Sequence, residues 1–271
     1  MNKINPLVSI IMNCHNGERY LEESLNSILN QTYQNWELIF FDNNSYDNSK
    51  KILSNYENDQ RVKYFKSNKF LKLYDARNKA IEQAKGKYIA FIDTDDLWMN
   101  NKLEKQIIFI ENNQDFEIIY SNYNVRFENE KIEILKYKKE LPSGKAMKDF
   151  LKEYSIGILT VMMKRKIFEL QNFNGNYDII GDFDLFIRLS KNYKIGCIQE
   201  PLSTFRYHDQ NRSTKKIKSY IIEYIHWIKI NRKSLCLGHN LINVRITIFK
   251  LIFKYVFHNF IKFLRFKNLG M

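Results

Sequence analysis

The feature that most narrows the fold is an alternation within the first hundred residues. Short, largely apolar runs at 8–12, 38–41, 62–65 and 88–92 have the length of buried strands, and stretches of helical period separate them. Leu21, Leu25 and Ile28 share one face of the stretch 20–29. A second helix runs through Ile52 and Leu53 behind the turn-forming Asp42-Asn43-Asn44-Ser45, and a third covers 74–84, with Gly86 expected as its C-cap. Strand and helix in alternation specify an α/β fold, a Rossmann-like, mainly parallel sheet with helices on both faces, whose ligands collect at the carboxyl ends of the strands. Asn13, Asp42 and Asp93 fall at those ends. Beyond residue 100 the pattern loosens into a helix at 102–111, a strand at 117–120, a hairpin within 124–139, a turn at Pro142-Ser143-Gly144, a helix at 181–191 and an extended stretch at 195–207.

A chain of 271 residues is long enough for one sizeable α/β domain with a helical appendage. Cys14, Cys197 and Cys236 are an odd number without metal-ligand spacing, so neither a disulfide framework nor a zinc site is indicated. No signal-peptide layout opens the sequence, which makes the cytoplasm the expected compartment. The net charge of +13 is unevenly spread: residues 211–271 carry 13 Lys or Arg and a single acid, Glu223. The rest is nearly neutral, so whatever the excess charge recognises is met by the tail.

Asp93-Thr94-Asp95-Asp96 sets three carboxylates at the end of a strand. A hard divalent cation, Mg²⁺ or Mn²⁺, suits such a cluster, because it takes one or two protein carboxylates and fills its shell with phosphate oxygens and water. The alternative is a solvated turn in which Asp95 or Asp96 caps a helix beginning near Asn100.

Four stretches, in order, decide between them. VSIIMNCHNGERYLEESLNSILNQTYQNWELIFFDNNSYDNS, DARNKAIEQAKGKYIAFIDTDD, GDFDLFIRLS and EPLSTFRYHDQNRS together resemble the motif set of family-2 glycosyltransferases of the GT-A fold, inverting enzymes of the bacterial surface-polysaccharide type. The resemblance spans residues 7–213 and implies a catalytic domain over 1–213, with a nucleotide-sugar-binding half (1–100) and an acceptor-binding half (101–213). A basic helical tail at 214–271 follows.

The resemblance places Asn13, His15 and Glu18 around the nucleobase of the donor. His15 stands where an aromatic usually stacks, and Asn43 where an aspartate accepts a bond from uracil; an amide oxygen accepts the same bond, so UDP is the expected nucleotide, while a plain turn residue is the alternative for Asn43. Arg77, paired with Asn78, suits the diphosphate or orients the carboxylates of the cluster. Asp95 matches the metal ligand, Asp93 a partner reaching the ribose or a metal-bound water, and Thr94 and Asp96 positions beside the donor sugar. His208 matches a position that approaches the metal or diphosphate; Arg206, with Arg212 and Ser213, would close over the phosphates. Asp182 holds the position of the catalytic acid residue, where Glu-Asp is common and this chain has Gly181-Asp182; in the first turn of a helix it is favoured in ionised form and suited to take the acceptor's proton. Asp184 and Arg188, four apart, are expected as a structural ion pair.

In the tail, Lys250, Lys254, His258, Lys262 and Arg265 recur every three or four residues beside faces rich in Phe and Ile. Nothing approaches the ~20 apolar residues that cross a bilayer. The pattern fits a helix in the interface of an anionic membrane, bringing a peripheral enzyme to a lipid-linked or glycan acceptor; packing on the catalytic domain or on a second copy is the alternative.

Three other classes are open to such a chain. A nucleic-acid-binding protein would need its aromatics among its basic residues, which this chain separates. A nucleotidyltransferase would need a Gly-rich phosphate loop after the first strand, and Asn16-Gly17 alone is not one. A non-catalytic relative that binds donor without transferring is compatible with His15 and Asn43.

Overall fold

The computed structural model describes residues 5–209, 211, 216–233 and 241–268, with side chains described as far as Phe257. Strands β1 (Val8–Cys14), β2 (Trp36–Asp42), β3 (Val62–Lys66) and β4 (Tyr88–Phe91) alternate with helices α1 (Leu21–Leu29), α2 (Ser49–Ser54) and α3 (Leu73–Ile81). All four strands are parallel, in the order β3-β2-β1-β4. The side chains of β1, β2 and β4 bury both faces, as period-two alternation requires of a doubly covered sheet, while β3 at the edge is partly exposed. Ile10, Met12, Leu38, Phe40 and Ala90 pack against Leu21, Leu25 and Ile28 of α1. Ile11, Ile39, Phe41, Ile89 and Phe91 pack on the other face with Tyr74 and Ala80 of α3. Each Leu, Ile, Met or Phe among them, once fully buried, contributes about 1.5–3 kcal/mol.

Beyond β4 the sheet turns mixed. Strand β5 (Leu97–Trp98) leads into α4 (Lys102–Asn112), and β6 (Ile118–Phe127) pairs with β7 (Ile132–Leu135) as the expected hairpin. Helix α5 (Met147–Lys152), strand β8 (Met162–Lys164), helix α6 (Gly181–Asn192) and strand β9 (Ile195–Tyr207) complete it. Strand β8 lies antiparallel between β4 and β6, while β9 runs parallel to β6 and antiparallel to β5. The α/β architecture with helices on both faces is thus present, parallel through β1 to β4 and mixed beyond them.

Two local expectations are corrected. Gly86 is not a C-cap, since α3 ends at Ile81; it sits where a Cβ would lie 2.6 Å from the Ser9 nitrogen and 2.7 Å from the Leu7 oxygen, so only glycine lets this segment lie against β1. Neither Asp95 nor Asp96 caps a helix, because α4 begins at Lys102 behind Asn101 and makes no side-chain cap bond.

The tail forms α7 (Ile217–Asn231) and α8 (Ile242–Asn268). Helix α7 belongs to the core: Trp227 is fully buried, its ring centroid lies 4.8 Å from that of Phe183, and its Nε1 donates to Asp184 Oδ1 at 3.0 Å. Val244 and Ile248 bury the first turns of α8 in the same cluster, whereas Ile252, Phe253, Val256 and Phe257 are exposed.

Candidate active site

The carboxyl ends of β1 and β4 open into a cleft of about 1140 Å³ that extends over β6 and β9 to the first turn of α6. Its centre is organised by Arg77. This guanidinium is 2 % exposed, sits 5.4–5.9 Å from the ring centroids of Tyr74, Phe91 and Phe173, and donates from Nη2 to Asp93 Oδ1 and from Nη1 to Asp182 Oδ1, each at 2.9 Å. Two carboxylates 89 positions apart in sequence are thereby held by one cation. Asn78 faces elsewhere, exchanging both amide bonds with the backbone of Phe173.

Asp182 lies at the start of α6, behind Gly181, where a Cβ would come within 2.4 Å of the Tyr74 ring; Gly181 therefore lets the helix seat directly on that ring. Burial is the largest influence on Asp182 and raises its pKa, the Arg77 guanidinium opposes, and the charge of Asp93 adds to the rise, leaving it pushed up to about 6. That places a carboxylate near the neutral range where a general base works best. The expected pair of Asp184 and Arg188 is present at 2.9 Å.

At the other side of Asp93, Asp95 Oδ2 lies 2.9 Å from His208 Nε2. An ionised carboxylate only accepts, so Nε2 carries the hydrogen in this contact. Arg206 is 2 % exposed; Nε donates to the Asp95 carbonyl at 2.8 Å, Nη1 to Glu128 at 2.7 Å and Nη2 to Glu23 at 2.8 Å, over the Tyr20 ring. Its backbone N–H donates to Asp96 Oδ1 at 3.1 Å. Arg206 therefore fastens β9 to the acidic turn from beneath. Asp96 is buried, and that burial, with the charges of Asp95 and Asp93, pushes its carboxyl well above the usual range against the pull of Arg206. Ser24 on α1 anchors the turn further by donating to the carbonyls of Thr94 and Asp96 at 2.8 and 2.7 Å. Arg212 and Ser213 lie outside the described residues.

The end of β1 supplies a third group. His15 Nδ1 donates to the Asn43 carbonyl at 3.0 Å, leaving the exposed imidazole 4.6 Å from the Phe70 ring and 6.0 Å from that of Tyr46. Asn43 is buried with its amide in a reciprocal pair: Nδ2 donates to the Leu71 carbonyl and Oδ1 accepts from the Leu71 nitrogen, both at 2.9 Å. Asn13 lines the cleft with both amide atoms buried and without a partner among the described residues. Glu18 is not among the lining residues; its Oε2 accepts from the nitrogen and side chain of Asn48.

Sequence reasoning did not find Phe70 or Glu128, which stand in no motif, nor Tyr20 and Glu23, which lie within the first of the four stretches, nor Tyr74, which immediately precedes the second. Nor did it find the aromatic wall of Tyr123, Phe127 and Tyr207, which line the same cleft, the last two with ring centroids 5.4 Å apart.

Among the described residues no group of three His, Cys, Asp or Glu side chains forms a ready cation cage. The donor set nonetheless fits a hard cation that brings its own oxygens. Asp95 and His208 both line the cleft, 2.9 Å apart; a cation between them would take the place of the hydrogen that Nε2 donates to Asp95, and one or two protein ligands are what Mg²⁺ or Mn²⁺ takes when phosphates and water complete the shell.

A cleft at the carboxyl ends of parallel strands, lined by carboxylates and aromatic rings, is where an α/β enzyme holds its ligand. The model of Glycosyl transferase family 2 matches residues 9–170, and the chain belongs to that family and is a glycosyltransferase. It is 34 % identical to an uncharacterised glycosyltransferase of Methanocaldococcus jannaschii, over 85 % of this chain and 82 % of the relative. It is 36 % identical to WfgD of Escherichia coli, named a UDP-Glc:alpha-D-GlcNAc-diphosphoundecaprenol beta-1,3-glucosyltransferase, over 78 % of this chain and 81 % of that protein. Among solved structures, TarS of S. aureus in complex with UDP-GlcNAc superposes with a TM-score of 0.62 at 16 % identity, covering 83 % of this chain and 67 % of that one. The mannosyltransferase PcManGT of Pyrobaculum calidifontis with GDP-Man and Mn²⁺ gives 0.62 at 16 %, covering 84 % and 65 %. These two likenesses concern the fold.

Proposed function

We propose that this glycosyltransferase moves a sugar from a UDP-linked donor, with inversion at the anomeric carbon, to a hydroxyl of a glycan carried on a lipid. The observation that carries the reading is the arrangement around Arg77, which ties a carboxylate of the acidic turn to Asp182 in one cleft. The uridine seat is formed by His15 with Phe70 and Tyr46 around it, by the unpartnered amide of Asn13, and by Asn43 through its hold on Leu71. Thr94 and Asp96 shape the turn beneath the donor sugar, and Asp93 faces its ribose side. Glu18 supports the seat from outside by fixing Asn48. A divalent cation held by Asp95 and His208 would offset the charge that gathers on the departing diphosphate.

In the transfer, Asp182 accepts the proton of the acceptor hydroxyl through the oxygen that Arg77 does not engage. As that proton leaves, the acceptor oxygen bonds to the anomeric carbon and the bond to the diphosphate breaks on the opposite face, which inverts the centre. Arg77 keeps Asp182 oriented while the Tyr123, Phe127 and Tyr207 wall receives the acceptor sugar, apolar ring faces stacking on aromatics.

The UDP choice and the lipid-borne acceptor take their support from the printed activity of WfgD and the UDP-GlcNAc complex of TarS. Helix α8 suits the same acceptor. Ile242, Ile246, Phe249, Phe253 and Val256 recur at intervals of three and four and are exposed, with Lys250 and Lys254 beside them. A row of this kind would rest on an anionic surface at the cytoplasmic face of a membrane. A second copy of the tail is the poorer occupant, because its only acid is turned inward and the two basic faces would repel.

Thermal-shift measurements with UDP-, GDP-, CDP- and dTDP-sugars, each with and without Mn²⁺, test the reading. A UDP-sugar is expected to raise the melting temperature only with the metal present. If no sugar nucleotide stabilises the protein in a metal-dependent way, the reading is wrong.

A further inference from the structure

Glu223 is the single acid between residues 211 and 271, and its carboxylate is turned to the segment that enters α6. Its Oε1 accepts from the Asp178 nitrogen at 2.8 Å, and its Oε2 from the nitrogens of Ile179 and Ile180 at 3.0 and 3.1 Å. Three consecutive main-chain N–H groups thus converge on one carboxylate. They belong to the segment entering α6, whose N-terminal position, Ile180, makes no side-chain cap bond of its own. N–H groups at a helix start have no partner within the helix, and a charged acceptor from elsewhere satisfies them more strongly than water does.

The capped segment borders the reacting groups on both sides. Asp178 and Ile179 line the cleft, the Ile179 carbonyl accepts from the Tyr74 hydroxyl at 2.8 Å, and Asp182 follows two residues after Ile180. Helix α7 grips α6 once more, half a turn beyond Asp182, where Trp227 Nε1 meets Asp184. Lys216, at the entrance of α7, pairs with Asp178. The first turn of α6 is therefore held from one side by Tyr74 and Arg77 of the nucleotide half and from the other by α7 of the tail.

We infer that Glu223 is a positioning residue for transfer: by gathering the N–H groups of residues 178–180 it fixes the angle at which α6 presents Asp182 to the acceptor, which makes α7 a working part of the active site. The inference rests on Asp182 being the base. An error of about 1 Å in the placement of a reacting group is enough to cost on the order of 100-fold in rate. The amide of Glu223→Gln offers one acceptor oxygen to three donors and turns its own N–H groups toward them.

The test uses the full chain with Mn²⁺, UDP-glucose and a GlcNAc-diphosphate lipid acceptor, following UDP release above the acceptor-free rate, in wild type, Glu223→Gln, Glu223→Ala, Glu223→Asp and Asp182→Asn. For Glu223→Gln and Glu223→Ala, kcat is expected to fall about 10–100-fold while KM for UDP-glucose stays within about twofold. The acid limb of kcat/KM should move to lower pH, because a loosened first turn exposes Asp182 and removes part of the burial that raises it. Glu223→Asp, which keeps the charge on a shorter arm, should recover part of kcat. A role in folding alone would scale kcat with the amount of folded enzyme and leave the acid limb where it is, and that outcome overturns the inference. So does wild-type kcat in both Glu223→Gln and Glu223→Ala. If Asp182→Asn transfers normally, the base assignment is what has failed, a different result from an inactive Asp182→Asn beside an undisturbed Glu223→Ala.

Discussion

Replacing Asp182 by Asn should damage catalysis and improve stability, and the two effects have separate origins. The raised pKa means that the folded state disfavours the ionised side chain. Moving an aspartate from an ordinary 3.8 to about 6, at 1.36 kcal/mol per tenfold, costs the fold about 3 kcal/mol once the group is fully ionised. The sign follows from the direction. Below 3.8 the carboxyl is protonated whether folded or not and costs nothing; the penalty grows between 3.8 and 6 and is complete above that. Asn keeps an oxygen for Arg77 Nη1 but loses the charge, so the net gain for Asp182→Asn at pH 8 is about 1–3 kcal/mol, a rise of roughly 3–10 °C in melting temperature. Differential scanning fluorimetry from pH 4 to pH 8 should show the difference vanishing at the acid end. Transfer, followed as UDP release, should fall by about 10²–10⁴ with UDP binding retained, and wild-type kcat/KM should decline as pH falls through about 6. Destabilisation of Asp182→Asn at pH 8, or transfer above a tenth of wild type, would refute the reasoning.

Other consequences are open to direct measurement. Asp95→Asn and His208→Ala should each lose most of the Mn²⁺-dependent stabilisation by UDP, read by calorimetry, while remaining folded. Arg206→Ala leaves the partly buried Glu128 without its cation and unpins the acidic turn, while the exposed Glu23 is rehydrated, so it should cost about 1–3 kcal/mol in urea unfolding and lose metal-dependent UDP binding with it. Phe70→Ala removes the ring beside His15 and should raise KM for the UDP-sugar several-fold at unchanged kcat, measured by initial rates. Phe249→Ser with Phe253→Ser should reduce sedimentation with vesicles of 30 % anionic lipid and leave UDP binding intact; unchanged sedimentation would exclude α8 as the contact.

The legible part of the fold was the part where both faces of a strand are buried. Strands β1, β2 and β4 have to be apolar almost throughout, and so they stand out as runs. Strands β5 and β8 are two and three residues long, shorter than any period can register, and β8 joins the sheet only because β4 and β6 flank it. The site divides in the same way. Asp93, Asp95, Asp182 and His208 stand in ordered motifs, and the structure brings them to one cleft. Phe70 and Glu128 carry no local pattern; their places follow from segments that meet far apart in sequence. Arg206 was read as a cover for phosphates, and its three carboxylate and carbonyl partners could not be anticipated from the residues beside it.

The contact between Gly181 and Tyr74 bears on how this enzyme can be redesigned. Many transferases resembling it have Glu before the aspartate, and exchanging Gly181 for that residue is the obvious graft from a relative. Here the ring fills the volume a side chain would need, and its hydroxyl is committed to the Ile179 carbonyl. The two positions behave as a lock and its key: a Glu introduced at 181 alone would lever α6 off its seat and swing Asp182 from the acceptor, whereas the same graft made together with a smaller residue at 74 has somewhere to go. Chimeras that exchange the segment carrying α6 between family members therefore need their α3 matched to it.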